Sequence, residues 1–270
     1  MIDIYSKIFK DIFNACEPYL KHDYLNVRGD NSGNNKYCFY SCKKVFEETI
    51  KVLDKSRYNG EIIFPENIVF DIHNIYSTDE IVKTSMCYIK QKITIKDGII
   101  KLSNARETDK KERIILFPID GIYSFSCGNS DFSMVLILEE KNEDEYKIKN
   151  ISVFNPIRND IFVFDANDGC KFNDKKIAMD NVYGDNQTNI IFVNDGTSKF
   201  SFDLTKLSQM TNNLFISKSI FSSIVELLTT NKNMCIYKIN QNVLPFVEFM
   251  CNISLLNTRN VGEHIVIEKK

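Results

Sequence analysis

The 270-residue chain has no tryptophan, only five prolines and ten glycines, and no excess of charge of either sign. Its 34 basic residues face 36 acidic ones, which gives a formal net charge of −2. No strong electrostatic field therefore favours nucleic acids or membrane surfaces. Charged side chains interrupt the first twenty positions, and no run approaches the length of a membrane span. We expect neither a signal peptide nor a membrane-spanning helix.

Cysteine occurs eight times, but without the dense and regular spacing of a secreted disulfide-rich protein. Scattered thiols of this kind are typical of reduced, buried cysteines, which predicts the cytoplasm as the compartment. Cys38 and Cys42 stand four residues apart with no second pair, so they give little support for a metal site. No Ser/His/Asp or Cys/His catalytic set forms around His73 or His264. The sequence also lacks the glycine-rich phosphate loops of nucleotide-binding proteins.

Apolar residues make up 43% of the chain, enough for one large domain or two small ones. Helical periodicity predicts helices over residues 4–16, 42–53, 203–213 (with Asp203 as N-cap) and 217–230, and another from near Asn242. Alternating or continuous apolar runs predict strands over residues 61–66, 69–76, 87–95, 98–102, 114–121, 132–138, 146–154, 160–165, 190–194, 234–238 and 264–267. Strands interleaved with helices indicate a layered α/β or α+β fold.

The most informative segment is Phe117-Pro-Ile-Asp-Gly-Ile-Tyr-Ser-Phe125, where an apolar strand runs into a turn. It resembles the signature Asp-Pro-Ile-Asp-Gly-Thr-x-x-Phe of the inositol monophosphatase family. An apolar strand follows at 132–138, as in the family. Residues at the spacing of the family's next hairpin follow in turn: Asn155-Pro156, Phe162, Ala166, Gly169, Asn173 and Ile177. The resemblance covers most of the chain in the same order and is strongest between about 114 and 177.

The resemblance implies a layered αβαβα sandwich of the inositol monophosphatase and sugar phosphatase type. Residues 1–150 would form an N-terminal α+β half that contains the Pro-Ile-Asp-Gly segment, and residues 151–270 a C-terminal α/β half packed against it. Residues 67–113 exceed the matching family loop, which suggests an added hairpin. Relatives are commonly homodimers, so the resemblance also implies a homodimer.

Family members are lithium-sensitive, magnesium-dependent phosphatases, in which clustered carboxylates hold Mg²⁺ ions that activate a water molecule. By position, the resemblance implies that Asp120 ligates the metal and that Ile119 lends its carbonyl oxygen. Gly121 and Ile122 would offer backbone amides to the phosphate. Glu66 stands where the family has one carboxylate of a Glu-Glu pair. The resemblance thus gives Mg²⁺ as the cofactor and a small phosphomonoester as the substrate.

Other positions depart from the family pattern and remove oxygen ligands or negative charge. Phe117 stands where the first, metal-bridging Asp belongs, and a phenyl ring cannot ligate Mg²⁺. Ile122 replaces the Thr whose hydroxyl helps orient the attacking water, which leaves no clear catalytic side chain. Asn242 aligns with the Asp of a Trp-Asp pair, and Cys42 aligns near the Asp of a Thr-x-x-Asp segment. These substitutions predict a divergent member with a degraded metal site.

Two functions remain open at this point. The first is a family fold that has lost most or all catalysis and binds or regulates a protein partner, as one bacterial relative does in contacting the transcription and ribosome-assembly machinery. The second is an active phosphatase for inositol phosphates, sugar phosphates or nucleotide 3′-phosphates, with a reduced or relocated metal site. Asp71, Asp79 or Glu80 of the added hairpin would supply the relocated ligands. Asp120 itself fits either a metal ligand or a turn residue that caps a helix.

Overall fold

The computed structural model describes residues 4–21, 35–56, 58, 60–64, 91–96, 99–104, 111–121, 124–125, 128–143, 145–177, 189–193, 213–217, 219–230, 234–237, 243–261 and 264–268. Within these residues the chain forms four helices and fourteen strands, a mixed α/β fold. The chain divides into two compact units. Unit 1 comprises residues 1–118 and 134–158, and unit 2 comprises residues 119–133 and 159–270.

Unit 1 begins with two amphipathic helices, α1 (Ile4–Leu20) and α2 (Asn35–Lys55), which pack together. The buried face of α1 carries Ile8, Phe9, Ile12, Phe13, Cys16 and Leu20, at the spacing of three and four that predicted the helix. Cys16 Sγ donates to the carbonyl oxygen of Val45 in α2 at 3.5 Å. Helix α2 begins at Asn35 rather than at Cys42 as predicted, because no glycine or proline interrupts the chain between them.

Six strands of unit 1 pair in the order β2-β3-β1-β4-β5-β6. They are β1 (Glu61–Phe64), β2 (Gln91–Lys96), β3 (Ile99–Asn104), β4 (Glu112–Asp120), β5 (Ser133–Asn142) and β6 (Glu145–Asn155). Strands β1 and β4 run parallel, whereas β2 with β3 and β5 with β6 are antiparallel. The predicted strands 87–95 and 98–102 correspond to β2 and β3, which pair with each other. The last two residues of β4 belong to unit 2, so this strand carries the chain from one unit to the other.

The core of unit 1 is built on β4, β5 and β6. The apolar residues 114–117 of β4 and 134–138 of β5 are buried, as expected for strands that read as continuous apolar runs. Phe13 of α1 stacks on Phe154 of β6 with ring centroids 4.9 Å apart. This ring pair joins α1 to β6.

Unit 2 contains an antiparallel group of β7 (Asp160–Asp165), β8 (Gly169–Phe172) and β9 (Lys175–Lys176). It also contains a five-stranded sheet in the order β11-β10-β12-β14-β13. The members of that sheet are β10 (Asn189–Val193), β11 (Asn213–Ser217), β12 (Met234–Tyr237), β13 (Asn257–Val261) and β14 (His264–Glu268). Helices α3 (Ile220–Thr229) and α4 (Leu244–Ile253) pack against strands of this unit.

Two elements of unit 2, β11 and α3, differ from the sequence-based predictions. Residue 213 begins β11 instead of ending a helix, and residues 203–212, with Asp203, lie outside the described residues. Helix α3 begins at Ile220 rather than at Ser217, because Ser217 ends β11. Short apolar runs such as Leu214-Phe-Ile fit strand and helix alike, and the tertiary pairing with β10 decides between them.

Strand β13 was not predicted, because its sequence Asn-Thr-Arg-Asn-Val lacks an apolar alternation. It forms because it pairs with β14 at the edge of the sheet, where polar side chains are common. The predicted strand 69–76 and most of the added hairpin lie outside the described residues. In the part of the chain that the structure describes, no helix is long and apolar enough to cross a membrane.

Candidate functional site

The candidate site lies at the end of β4, where the buried strand turns at Asp120-Gly121. Gly121 has a φ of +87°, a conformation that side chains with a Cβ rarely adopt. A Cβ at this position would lie 2.8 Å from both the carbonyl oxygen of Asp131 and the Cβ of Ser219. The Gly121 carbonyl oxygen accepts a hydrogen bond from the amide of Phe125 at 3.0 Å. Glycine is therefore required both by the backbone conformation and by the close approach of its neighbours.

Asp120 is bound to the N-terminus of α3. Its Oδ2 accepts hydrogen bonds from the hydroxyl of Ser219 at 2.5 Å and from the backbone amide of Phe221 at 2.9 Å. Ser219 is the N-cap residue of α3, and its Oγ also accepts from the amide of Ser222 at 3.1 Å. The carboxylate and the Ser219 hydroxyl thus satisfy amides that a helix N-terminus would otherwise leave without partners.

The electrostatic environment of Asp120 combines opposing effects. Burial raises the pKa of this carboxyl from 3.8 to about 6, because desolvation disfavours the charged form. The hydrogen bonds from Ser219 and Phe221 act in the opposite direction, and the nearby charge of Asp131 adds to the increase. The hydrogen-bond donors and the second acid therefore both affect the pKa of Asp120, but burial has the largest effect.

A second carboxylate, Asp131, belongs to the same cluster. The hydroxyl of Ser217 donates to Asp131 Oδ2 at 2.6 Å and accepts from the amide of Ser219 at 3.1 Å. Both serines are buried, with exposed fractions of 4% and 0%. We call Asp120, Asp131, Ser217 and Ser219 the Asp-Ser cluster. Sequence reasoning missed Asp131 and both serines. A serine ahead of the apolar run of α3 is a recognisable N-cap signal, but nothing local links it to Asp120.

The sequence-predicted site residues fall into four groups. Ile119, Asp120 and Gly121 are consecutive at the end of β4, and Ile119 is buried. Phe117 lies in the same strand with only 7% of its surface exposed, so its ring is part of the interior. Other predicted residues lie outside the described residues: Glu66, Ile122, Asn242, Asp71, Asp79 and Glu80. Cys42 lies in α2, and only its backbone is described.

The described residues do not fit a pair of magnesium ions. Mg²⁺ requires an octahedral set of oxygen ligands, of which carboxylates are the usual protein contribution. No group of three or more His, Cys, Asp or Glu side chains within the described ranges stands close enough to share an ion. Oδ2 of Asp120 already accepts two hydrogen bonds, and Phe117 has no donor atom for a metal. What this arrangement does chemically is to accept hydrogen bonds at a helix N-terminus.

The described thiols are not suited to nucleophilic chemistry either. Cys16, Cys170 and Cys251 are buried free cysteines. Burial raises the pKa of each thiol to about 12, so the reactive thiolate is scarce at neutral pH. Their roles are in packing, as the scattered spacing in the sequence predicted.

Solved structures from several bacteria have the same fold. The chain is similar to the extragenic suppressor protein suhB from Bartonella henselae, with a TM-score of 0.63, 13% identity and coverage of 98% of this chain and 94% of that one. It is similar to inositol monophosphatase II from Staphylococcus aureus (TM-score 0.62, 11% identity, 98% and 91% covered). It is also similar to an inositol monophosphatase from Anabaena (TM-score 0.60, 10% identity, 98% and 90% covered).

These similarities extend over nearly the whole chain and confirm the predicted fold class. At such low identities they establish the fold alone, because one fold commonly supports several functions. No protein-family model matches the sequence, and no curated protein is significantly similar to it.

Proposed function

We propose that this chain, which has the fold of inositol monophosphatases, has lost most or all of the two-metal phosphatase chemistry and acts as a binding or regulatory protein. The observation that carries the proposal is the hydrogen bonding of the Asp120 carboxylate. The one carboxylate retained from the family signature is hydrogen-bonded to the N-terminus of α3 through its Oδ2. Phe117 adds a buried ring at the position where the family signature has its bridging ligand.

Two-metal hydrolysis requires ligands that hold both ions while one of them activates the attacking water and the other stabilises the leaving oxygen. Loss of a bridging carboxylate removes charge that both cations share. The neighbouring side chains of Ser217 and Ser219 are neutral, and their hydroxyls are already hydrogen-bonded. The described residues therefore supply too few ligands for magnesium-dependent hydrolysis.

The alternative is an active phosphatase with a reduced or relocated metal site. One observation favours it, which is that Asp131 brings a second negative charge close enough to Asp120 to raise its pKa. Glu66 and the carboxylates of the added hairpin would complete such a set. The substrate would then be an inositol phosphate, a sugar phosphate or a nucleotide 3′-phosphate, with Gly121 and Ile122 presenting amides to the phosphate group.

Calorimetric titration with Mg²⁺ and Mn²⁺, together with an assay for released phosphate on the three substrate classes, tests the proposal. We expect no saturable metal binding and no phosphate release above the uncatalysed rate. Asp120→Ala is the informative variant, and Asp165→Ala is its control because Asp165 also accepts two backbone amides, but in an exposed turn. Metal binding and phosphate release that are lost in Asp120→Ala and kept in Asp165→Ala would support the alternative instead.

The binding role implies a protein partner, and the family resemblance implies a homodimer in the cytoplasm. Light scattering on the purified protein measures the mass of the particle directly. We expect twice the mass of the chain, which is 31.3 kDa. A monomer at all concentrations would exclude the homodimer but leave the proposal on Asp120 intact.

A further inference from the structure

We infer that Asp120 serves this chain as an acceptor that ties the end of β4 to the N-terminus of α3, a task that needs an oxygen atom but neither a metal ion nor a negative charge. The inference rests on the proposed function, because it explains what the retained carboxylate does in a site without magnesium. It also predicts that the fold of unit 2 does not depend on a cation.

One oxygen atom makes both connections to α3. Oδ2 of Asp120 accepts from the Ser219 hydroxyl at 2.5 Å and from the Phe221 amide at 2.9 Å. The Ser219 hydroxyl has a single proton, which it gives to Asp120, and its lone pairs remain free to accept from the Ser222 amide at 3.1 Å. The N-cap of α3 and the connection to β4 therefore form one hydrogen-bonded network.

Ser217, two residues before the N-cap, extends this network. The amide of Ser219 donates to the Ser217 hydroxyl, which donates in turn to Asp131. Gly121 allows the backbone at the end of β4 to come so close that an added Cβ would overlap the Cβ of Ser219. Two segments that are 99 residues apart in sequence are thus held together by short contacts at the buried Ser219.

Thermal unfolding followed by circular dichroism tests the inference, using Asp120→Ala, Asp120→Asn, Ser219→Ala and the double variant Asp120→Ala/Ser219→Ala. Each protein is measured at neutral pH with EDTA and with excess MgCl₂. Asp120→Ala leaves the Phe221 amide without its acceptor, and we expect the Tm to fall by about 5 °C. Asp120→Asn keeps an acceptor oxygen in place, so its Tm is expected to equal or exceed that of the parent chain.

Coupling between the two side chains gives a second readout. Ser219→Ala removes both the cap and one bond to Asp120, with an expected fall in Tm of about 3 °C. Because the two residues share one hydrogen bond, the double variant should lose less than the sum of the single losses. Asp165→Ala, which removes two hydrogen bonds in an exposed turn, is the matched control and should change the Tm by about 1 °C or less.

Additive losses, or an Asp120→Asn variant as unstable as Asp120→Ala in EDTA, would overturn the inference. If Asp120→Ala does not fold, the Asp120→Asn and Ser219→Ala measurements in EDTA still decide the question. A Tm of the parent chain that rises with MgCl₂, and does so in neither Asp120 variant, would contradict the proposed function. The comparison of Asp120→Ala with Asp120→Asn in EDTA would then still test whether Asp120 connects β4 to α3. Failure of this inference and failure of the proposed function are therefore distinguishable.

Discussion

Two carboxylates show that the two units stabilise acids of low exposure in different ways. Glu139 of β5, in unit 1, has only 7% of its side chain exposed and forms an ion pair with Arg113 of β4. The guanidinium of Arg113 also lies over the ring of Tyr146, 3.9 Å from its centroid. Asp120, in unit 2, is bound instead by a hydroxyl and a backbone amide.

The difference matters because a countercharge and a set of dipoles tolerate substitution differently. Removing either partner of an ion pair destabilises the folded chain, since the remaining charge stays in a region of low dielectric constant. At a helix N-terminus, a substitution that supplies another acceptor retains most of the stabilisation. The substitutions and the pH dependence below separate these two cases.

The largest effect is expected for Arg113→Ala, which leaves Glu139 buried without its partner and removes the contact with Tyr146. We expect the free energy of unfolding to fall by about 3 kcal/mol, as is typical when one member of a buried pair is lost. Urea denaturation followed by circular dichroism measures it. Replacing both partners, in Arg113→Met/Glu139→Leu, should recover most of the loss, and no recovery would argue against a cost that comes from unpaired charge.

Gly121→Ala tests the geometry on which the Asp-Ser cluster depends. The positive φ strains any residue with a Cβ, and the new atom would approach backbone and side-chain atoms at 2.8 Å. We expect a loss of about 2 kcal/mol, measured by the same denaturation experiment. Gly169→Ala, which has a φ of +83° but only a distant neighbour at 3.7 Å, is the control for backbone strain alone. Equal losses in the two variants would mean that the close approach to Ser219 contributes nothing.

A pH dependence of stability is expected from Asp120. Its pKa is raised from 3.8 to about 6, so the folded chain binds the proton more tightly than the unfolded chain does. Stability should therefore decrease as the pH rises from about 4 to about 6, with a slope of at most about 1.4 kcal/mol per pH unit.

Comparing the parent chain with Asp120→Asn by urea denaturation at several pH values isolates this contribution. The variant has no group to titrate at this position, and the difference between the two proteins should shrink as the pH falls below 6. A difference that stays constant from pH 4 to pH 7 would show that the pKa of Asp120 is not raised.

The smallest effect is expected for Asp168→Ala. This carboxylate is exposed and forms an ion pair with Lys171 at 2.6 Å, which lowers its pKa. Solvent and salt screen such pairs, so we expect no measurable change in the free energy of unfolding. A loss as large as that of Arg113→Ala would mean that exposure does not explain the difference between the two ion pairs.

Parts of the candidate site were predictable from local sequence. The apolar run of β4 and the turn at Asp120-Gly121 were both predicted, because strand burial and the conformational freedom of glycine are readable from neighbouring residues. The apolar period of α3 also predicted a helix there, although the exact start was wrong by three positions, from Ser217 to Ile220. The two uses that we considered for Asp120, metal ligand and helix cap, were both consistent with the sequence.

The partners of Asp120 were not predictable in the same way. Ser219 lies 99 residues from Asp120 and Phe221 lies 101, so no periodicity or spacing relates them. Asp131 and Ser217 are 86 residues apart, and no local pattern connects them. Polar groups of this kind acquire their roles only when the packing of strands and helices removes them from water, because an unpaired buried group is costly.

The sequence by itself determined most of the helices and strands, the buried β4 strand and the presence of a side chain at Phe117 that cannot ligate a metal. Each of these depends on the chemistry of one residue or on a short period along the chain. The tertiary structure alone decided that Asp120 lies against the N-terminus of α3, that Ser217 ends a strand, and that β13 forms. These outcomes depend on hydrogen-bond partners far away in sequence, and only the folded chain brings such partners within bonding distance.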